Sequence, residues 1–555
     1  MATINGTESV SFENSEIINF IANDLNFDSY LDYIITIKET KSKTYTTYIY
    51  IFNNSSLKYE KKYIIEDSDM NIFTAAIGND RKLKVIFYDK TEKKRKVILF
   101  DISGNPSIND YSNYISSNTN ICTGNEKYKN YPFISPNSNG FVDIDGDCLN
   151  DLMILSYDNS LKKNILEIWK GIFENKEIKY CLTLTNVYEL DKSLGLPTLV
   201  DIDRNALIDI VFPIKESSPP KILIAYNIIS MSYTWTSDYC DDHQPISLSD
   251  KSTIDKIFDD FIININTNNV NTITIFSDND YTFYEENYFP LFLKFIDINQ
   301  DSYPDFITIL QNKSTKKNLP IVFLNQKILY DDNYKEEIRR TYSKSEIYSF
   351  EDYTNIISAS FFDFEDNGKM DLIFIDSNIN SIGLYNQNLY DSYTMKSILL
   401  FNSNCFYCSE FGSTQRFITT NIDGTRRMDI SIQFSQNTVS ALNLPFAYLG
   451  IGRSNNYIEN FQIISGNKYK SSDNVKTYTP VIPNSQLVIF HTNYGKDSTN
   501  WKVDLVVKPT KYLYQLIIVI ILMIAFGTIL ASYLEMKERE EDNEENKETF
   551  APWFG

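Results

Sequence analysis

A short acidic phrase recurs along this chain, each copy set between two runs of β-forming residues, and it restricts the fold more than any other feature. Its clearest form is Asp143-Ile-Asp145-Gly-Asp147-Cys-Leu-Asn-Asp151, preceded by Gly140-Phe141-Val142 and followed by Leu152-Met153-Ile154-Leu155. Oxygen side chains at alternate positions, closing on an Asp at the ninth, suit a hard divalent cation held in a tight loop. The first, third and fifth positions supply side-chain oxygens, the seventh a backbone carbonyl, and the ninth the closing carboxylate. On this frame the candidate ligands are Asp143, Asp145, Asp147, the carbonyl of Leu149, and Asp151. The other copies give Asp24, Asn26, Asp28, Tyr30 and Asp32; Asp201, Asp203, Asn205, Leu207 and Asp209; Asp297, Asn299, Asp301, Tyr303 and Asp305; and Asp363, Glu365, Asn367, Lys369 and Asp371.

Two further copies keep the frame and lose the chemistry. Residues 76–84 end on Lys84 where the closing Asp belongs, and that loop is not expected to hold a cation. Residues 421–429 place Asn421 first and Thr425 at the fifth position, a degraded site. The seven copies, numbered here as loops 1 to 7, start at 24, 76, 143, 201, 297, 363 and 421. Repeats of this period, β-rich and without long amphipathic helical patterns, predict propeller blades of four short strands. The long step between 201 and 297 calls for an insertion, placed at 231–254. A single such phrase in an Asn-rich chain reads as a solvated turn. Five in register favour cations, and oxygen-only ligation in an irregular cage selects Ca²⁺ over zinc, copper or Mg²⁺. Each closing Asp opens a strand, so the expected ion is structural.

These loops resemble the calcium loops of FG-GAP repeats, the units of the integrin α-subunit propeller. The stretch from Leu442 to Glu459, LNLPFAYLGIGRSNNYIE, and Ile482-Pro-Asn-Ser-Gln-Leu487 resemble the membrane-proximal region of the T-cell immunomodulatory protein family. That resemblance implies an FG-GAP propeller ectodomain, one membrane helix, a short tail, and a glycoprotein that binds other proteins in adhesion or signalling. Members begin with a signal peptide, whereas Met1 to Ser15 has no apolar core segment.

The expected class is therefore all-β: a seven-bladed propeller over 8–440, a β-sandwich-like membrane-proximal domain over 441–508, a transmembrane helix at 513–534, and a charged, disordered tail at 535–555. The opening segment Val10 to Phe20 is expected to close the ring by adding a strand to the last blade. From Leu513 to Leu534 the chain carries no charge, and a helix of that length rises about 33 Å, one bilayer crossing. Flanking lysines are balanced, so charge barely sets orientation. Sequons at Asn5, Asn53, Asn54 and Asn312 and an even set of six cysteines favour an exported, single-pass type I arrangement at the plasma membrane or an endomembrane. A tail-anchored cytosolic scaffold is the alternative.

A net charge of −21 opposes binding to phosphate backbones, so nucleic acid is not an expected partner. With two histidines and no nucleophile elbow or phosphate-cradling loop, the chain is read as a non-enzyme. A propeller glycan hydrolase or lyase is the rival. The expected partner is a protein ligand on a propeller face, with the cations on the opposite one.

Overall fold

The computed structural model describes residues 15–39, 44–66, 72–134, 138–227, 270–285, 291, 293–327, 340–346, 355–365, 367–377, 381–385, 393–401, 408–420, 424, 426–435, 443–452, 457–466, 475–491, 501–506 and 511–550. The molecule divides into two units, 1–506 and 507–555.

Within the first unit the repeats form antiparallel sheets in chain order. Blade 1 runs Ser15–Asn23, Asp32–Glu39, Tyr45–Asn53, Lys58–Ile65, each strand paired to the next. Blade 2 runs Phe73–Ala75, Lys84–Asp89, Lys94–Phe100, Pro106–Asp110 in the same order. Blade 3 covers Gly140–Leu190, blade 4 Thr198–Thr274, blade 5 Tyr281–Lys344 and blade 6 Ile356–Tyr385. Side-chain alternation gives every blade two apolar faces, and consecutive blades share them. Ile34, Ile49 and Ile51 of blade 1 pack on Val85, Ile98 and Phe100 of blade 2. Phe73 and Val97 meet Phe141, Leu152 and Trp169 of blade 3, and the pattern continues through blades 4, 5 and 6.

In blades 1 to 4 and 6 the acidic phrase is the turn between the first two strands, and in blade 5 it joins Lys294–Ile296 to Asp305–Asn312, so loops 1 to 6 gather at one end of the blades. The insertion expected at 231–254 falls outside the described residues, between the third and fourth strands of blade 4, Lys221–Ala225 and Val270–Thr274.

Three expectations change. The seventh repeat is not a blade. Strand Thr414–Thr420, which precedes loop 7, pairs with Arg426–Ile432 on one side and with Asn460–Ile464 on the other. Strand Tyr393–Phe401 likewise pairs with Ala447–Gly452 and, in parallel, with Ser485–His491. Residues 393–506 therefore make one two-sheet sandwich, with Met395, Leu399, Phe417, Phe461, Ile463 and Ile489 between the sheets. The domain boundary lies before 393 rather than at 440. A hairpin with an acidic turn satisfies the repeat frame in either setting, and only long-range pairing separates them; Asn421, Asp423 and Thr425 lie outside the described residues. Second, Ser15–Asn23 pairs within blade 1 itself instead of joining the last blade; 10–14 lie outside the described residues.

Third, the tail is helical over 535–550, and 551–555 lie outside the described residues. One helix runs Lys511–Phe550, through the charged segment. Glu, Lys and Arg are strong helix formers. Pairs one turn apart, Glu535 with Arg539 at 2.7 Å and Lys537 with Glu541 at 3.7 Å, support it. The helix is long and apolar enough to cross a membrane.

Candidate functional site

The loops share one hydrogen-bond scheme. The first-position carboxylate curls the chain around itself: Asp143 accepts from the backbone N–H of Gly146 at 2.8 Å and of Cys148 at 2.9 Å. Asp24, Asp201, Asp297 and Asp363 do the same with the fifth and sixth residues of their loops. The fifth position then accepts from the seventh N–H in loops 1, 3, 4, 5 and 6. This winding holds the sixth residue at positive φ even where it is Ser29 (70°), Cys148 (66°), Ala206 (62°) or Ser302 (78°), a conformation unfavourable for residues with a Cβ.

The closing Asp also makes backbone hydrogen bonds that the nine-residue frame does not contain. In loop 4, Asp209 accepts from Ile202 N at 2.9 Å and from Asn227 N, on the far side of the neighbouring strand, at 2.8 Å. Asp32, Asp151 and Asp305 repeat the arrangement. The closing carboxylate thus staples the loop to the same blade 18 to 20 residues further along the chain. The seventh-position side chains are equally occupied: Leu149 and Leu207 are buried, and Tyr303 lies beneath the guanidinium groups of Arg204 and Arg340.

Among the described residues, two sets bring their oxygens within 4.8 Å of one another: Asp143, Asp145 and Asp147 in loop 3, and Asp201, Asp203 and Asp209 in loop 4. Burial raises several carboxyl groups of these two loops above their ordinary values. Asp143 and Asp203 move up to about 6, and Asp147, Asp151, Asp201 and Asp209 move in the same direction. In loop 1, burial carries Asp24 to about 6 and Asp32 to about 7. Oδ2 of Asp145 and of Asp147 are buried and both face the Lys170 ammonium. Desolvated anionic oxygens converging in this way fit a hard cation. Loop 3 also receives a protein cation, because the buried Lys170 ammonium forms an ion pair with Asp145 and lies 3.9 Å from Asp147.

Loop 2 shows the alternative most clearly. The Lys84 ammonium enters the loop, donating to Ile77 O at 2.6 Å, to Lys82 O at 3.1 Å and to Asp80 Oδ1. Asp80 and the Lys82 carbonyl are the fifth- and seventh-position oxygens, so a tethered ammonium replaces the ion. Lys84→Met should leave these acceptors unsatisfied and lower stability by about 1–3 kcal/mol, equally with calcium or with chelator. Denaturant unfolding in both conditions checks this.

The sandwich touches all six blade loops. Cys408 Sγ lies 3.8 Å from Asp24 Oδ2, and Glu410 pairs with Arg81 of loop 2 at 3.0 Å. Asn150 N of loop 3 donates to Gly466 O at 2.8 Å. Arg204 of loop 4 pairs with Asp429 through both oxygens. Gly450 packs so closely on Asp297 of loop 5 that a Cβ would not fit, and the Lys396 ammonium binds Asp363 of loop 6. The loop end of the blades is thus an internal joint. Lys170, Lys396 and Glu410 carry no local signal of this; Lys84 and Asp429 stood in the motif, each as the closing residue of its copy.

At the opposite end, the hairpin turns of blades 2, 3 and 4 surround a cleft of about 720 Å³. Tyr88, Lys90, Lys93, Tyr157 and Lys215 line it.

Comparison with known proteins follows the same division. A family model described as "ITFG1, C2 domain" matches residues 406–506, within the sandwich. A T-cell immunomodulatory protein homolog of Plasmodium falciparum (isolate 3D7) is 26% identical over 606 residues, covering 97% of this chain and 80% of the relative. The T-cell immunomodulatory proteins of Mus musculus and Homo sapiens are 24% and 23% identical, each match covering 74% of this chain and 65% of the relative. Among solved structures, the β-propeller domain of the Trilobed protease from Pyrococcus furiosus aligns with 77% of this chain and all of that one, at 9% identity and a TM-score of 0.27.

Proposed function

From homology to the T-cell immunomodulatory proteins over most of the chain, we propose a single-pass membrane protein whose calcium-stiffened, blade-built ectodomain recognises a protein partner. The observation that carries this reading is the covering of all six loops by the sandwich, which leaves the hairpin end of the blades, with its cleft, as the open surface. Half-buried Tyr88 and Tyr157 with Lys90, Lys93 and Lys215 around a cleft in a rigid β scaffold suit recognition. Immune modulation is not carried over. The named relatives are not named as enzymes, and binding rather than catalysis is the reading. The Cys122–Cys181 disulfide supports a lumenal or extracellular ectodomain, hence type I topology.

Calcium would be held by the converging oxygens of Asp143, Asp145 and Asp147 in loop 3 and of Asp201, Asp203 and Asp209 in loop 4, neutralising carboxylates that burial disfavours. Its contribution is to hold the joint between blades and sandwich.

The sign of the pH dependence follows. Asp24, Asp32, Asp143 and Asp203 have folded values of about 6 to 7, above the ordinary 3.8. The folded state then binds more protons than the unfolded one across that window. In chelator, the melting temperature should fall as pH rises from about 4 to about 7. Calcium should flatten that slope, as differential scanning in both conditions would show.

Recognition is tested with a photocrosslinking residue at Tyr157 in the cleft, or at Ile102, which lies in a turn at the loop end, in the full-length protein on cells. The proposal expects a discrete protein adduct from position 157 and none from 102; adducts only from 102 would reject it.

A further inference from the structure

Among the described residues of the sandwich, five large apolar side chains are exposed: Tyr393 (41%), Tyr457 (53%), Ile482 (58%), Leu505 (43%) and Val506 (40%). They are not scattered. Tyr393 opens its strand and pairs with Gly452; two residues on, Met395 pairs with Ser485, and Gln486 pairs with Val506. Asn484 N donates to Thr394 O at 2.7 Å. The bridge between Ile458 and Val481 brings Tyr457 and Ile482 together beside them. All five therefore stand at one end of the sandwich. At the other end of the same sheet Phe401, His491 and Trp501 pair in register and are buried.

The polarised end is also the end by which the chain leaves. Val506 closes the last strand, and the apolar helix begins at Lys511. Five residue steps reach at most about 17 Å, so a bilayer crossed by that helix lies within a short tether of these side chains. A cluster of exposed apolar groups marks an interaction surface, and tyrosines with aliphatic neighbours suit the region between headgroups and acyl chains.

We propose that this end of the sandwich is a bilayer-contact surface, with Tyr457 and Ile482 entering the interface of the membrane that anchors the chain. The proposal rests on the membrane-anchor reading of the helix. It holds for either topology, since the surface and the anchor are joined directly.

The test uses the full chain in nanodiscs of palmitoyl-oleoyl phosphatidylcholine or of its dibrominated analogue. Tyr457→Trp, Ile482→Trp, Ile524→Trp in the helix and Ile102→Trp on blade 2 are each compared with the parent. Bromine quenches an indole that enters the lipid. The expected result is loss of the added emission at 457, 482 and 524 in brominated lipid, with none lost at 102. Quenching at 524 without quenching at 457 and 482 would overturn the contact surface and leave the anchor standing. No quenching at 524 would overturn both. A blue-shifted emission at 482 that bromine does not affect would assign the surface to a protein neighbour and reject the lipid.

Discussion

Arg95→Met should destabilise the protein by about 3–5 kcal/mol, because it strands a buried carboxylate. Arg95 and Glu167 are both fully buried and pair through two bonds of 2.9 Å, joining the third strand of blade 2 to blade 3. Glu167 also accepts from Trp169 Nε1 at 2.7 Å and from Ser156 Oγ, so its charge is organised around the guanidinium. Arg95 donates further to Tyr131 O at 2.9 Å and lies over the ring of Phe133. Removing the cation alone leaves the anion with two neutral donors in an apolar seam. The double variant Arg95→Met with Glu167→Met removes both charges and should recover much of the loss. Denaturant unfolding of the two variants checks the pair; a single-variant cost below about 1 kcal/mol would show that the seam admits water to the carboxylate.

Asp209→Ala should cost about 2–6 kcal/mol with or without calcium, since two buried N–H groups, of Ile202 and Asn227, lose their acceptor at about 1–3 kcal/mol each. Asp203→Ala removes a carboxylate whose backbone bond, from Asn205 N, is long at 3.2 Å. Its cost should appear only when calcium is present. Unfolding curves of both variants in calcium and in chelator separate the staple from the ligand. Equal calcium dependence for the two would show that the closing Asp is a ligand first.

What the sequence disclosed, and what it hid, follows from range. The spacing of Asp143, Asp145, Asp147 and Asp151 is local, and so were the loops, their flanking strands and the all-β class. Lys84 could be read as excluding an ion from its loop, although not as replacing it. The hairpin around loop 7 carries the same local pattern as a blade, and only its pairing with Asn460–Ile464 assigns it to the sandwich. The second bond of Asp32, Asp151, Asp209 and Asp305 goes to a residue 18 to 20 positions on, which a nine-residue frame cannot contain. The contacts of Glu410, Asp429, Gly450 and Gly466 with the loops cross hundreds of residues, and no local signal announces them. The acidity of the tail points to disorder, but the helix propensity of its Glu, Lys and Arg residues prevails up to Phe550.

The central claim is that calcium in these loops holds the blades and the sandwich together. Its most direct test is the melting temperature of the full chain in calcium, in magnesium and in chelator at neutral pH. The account predicts a rise specific to calcium, lost in part with Asp203→Ala and retained with Lys84→Met. Identical melting in all three would show that the loops are wound by their own hydrogen bonds alone, and that their buried carboxylates are balanced by Lys170, Lys396 and Arg204 without an ion.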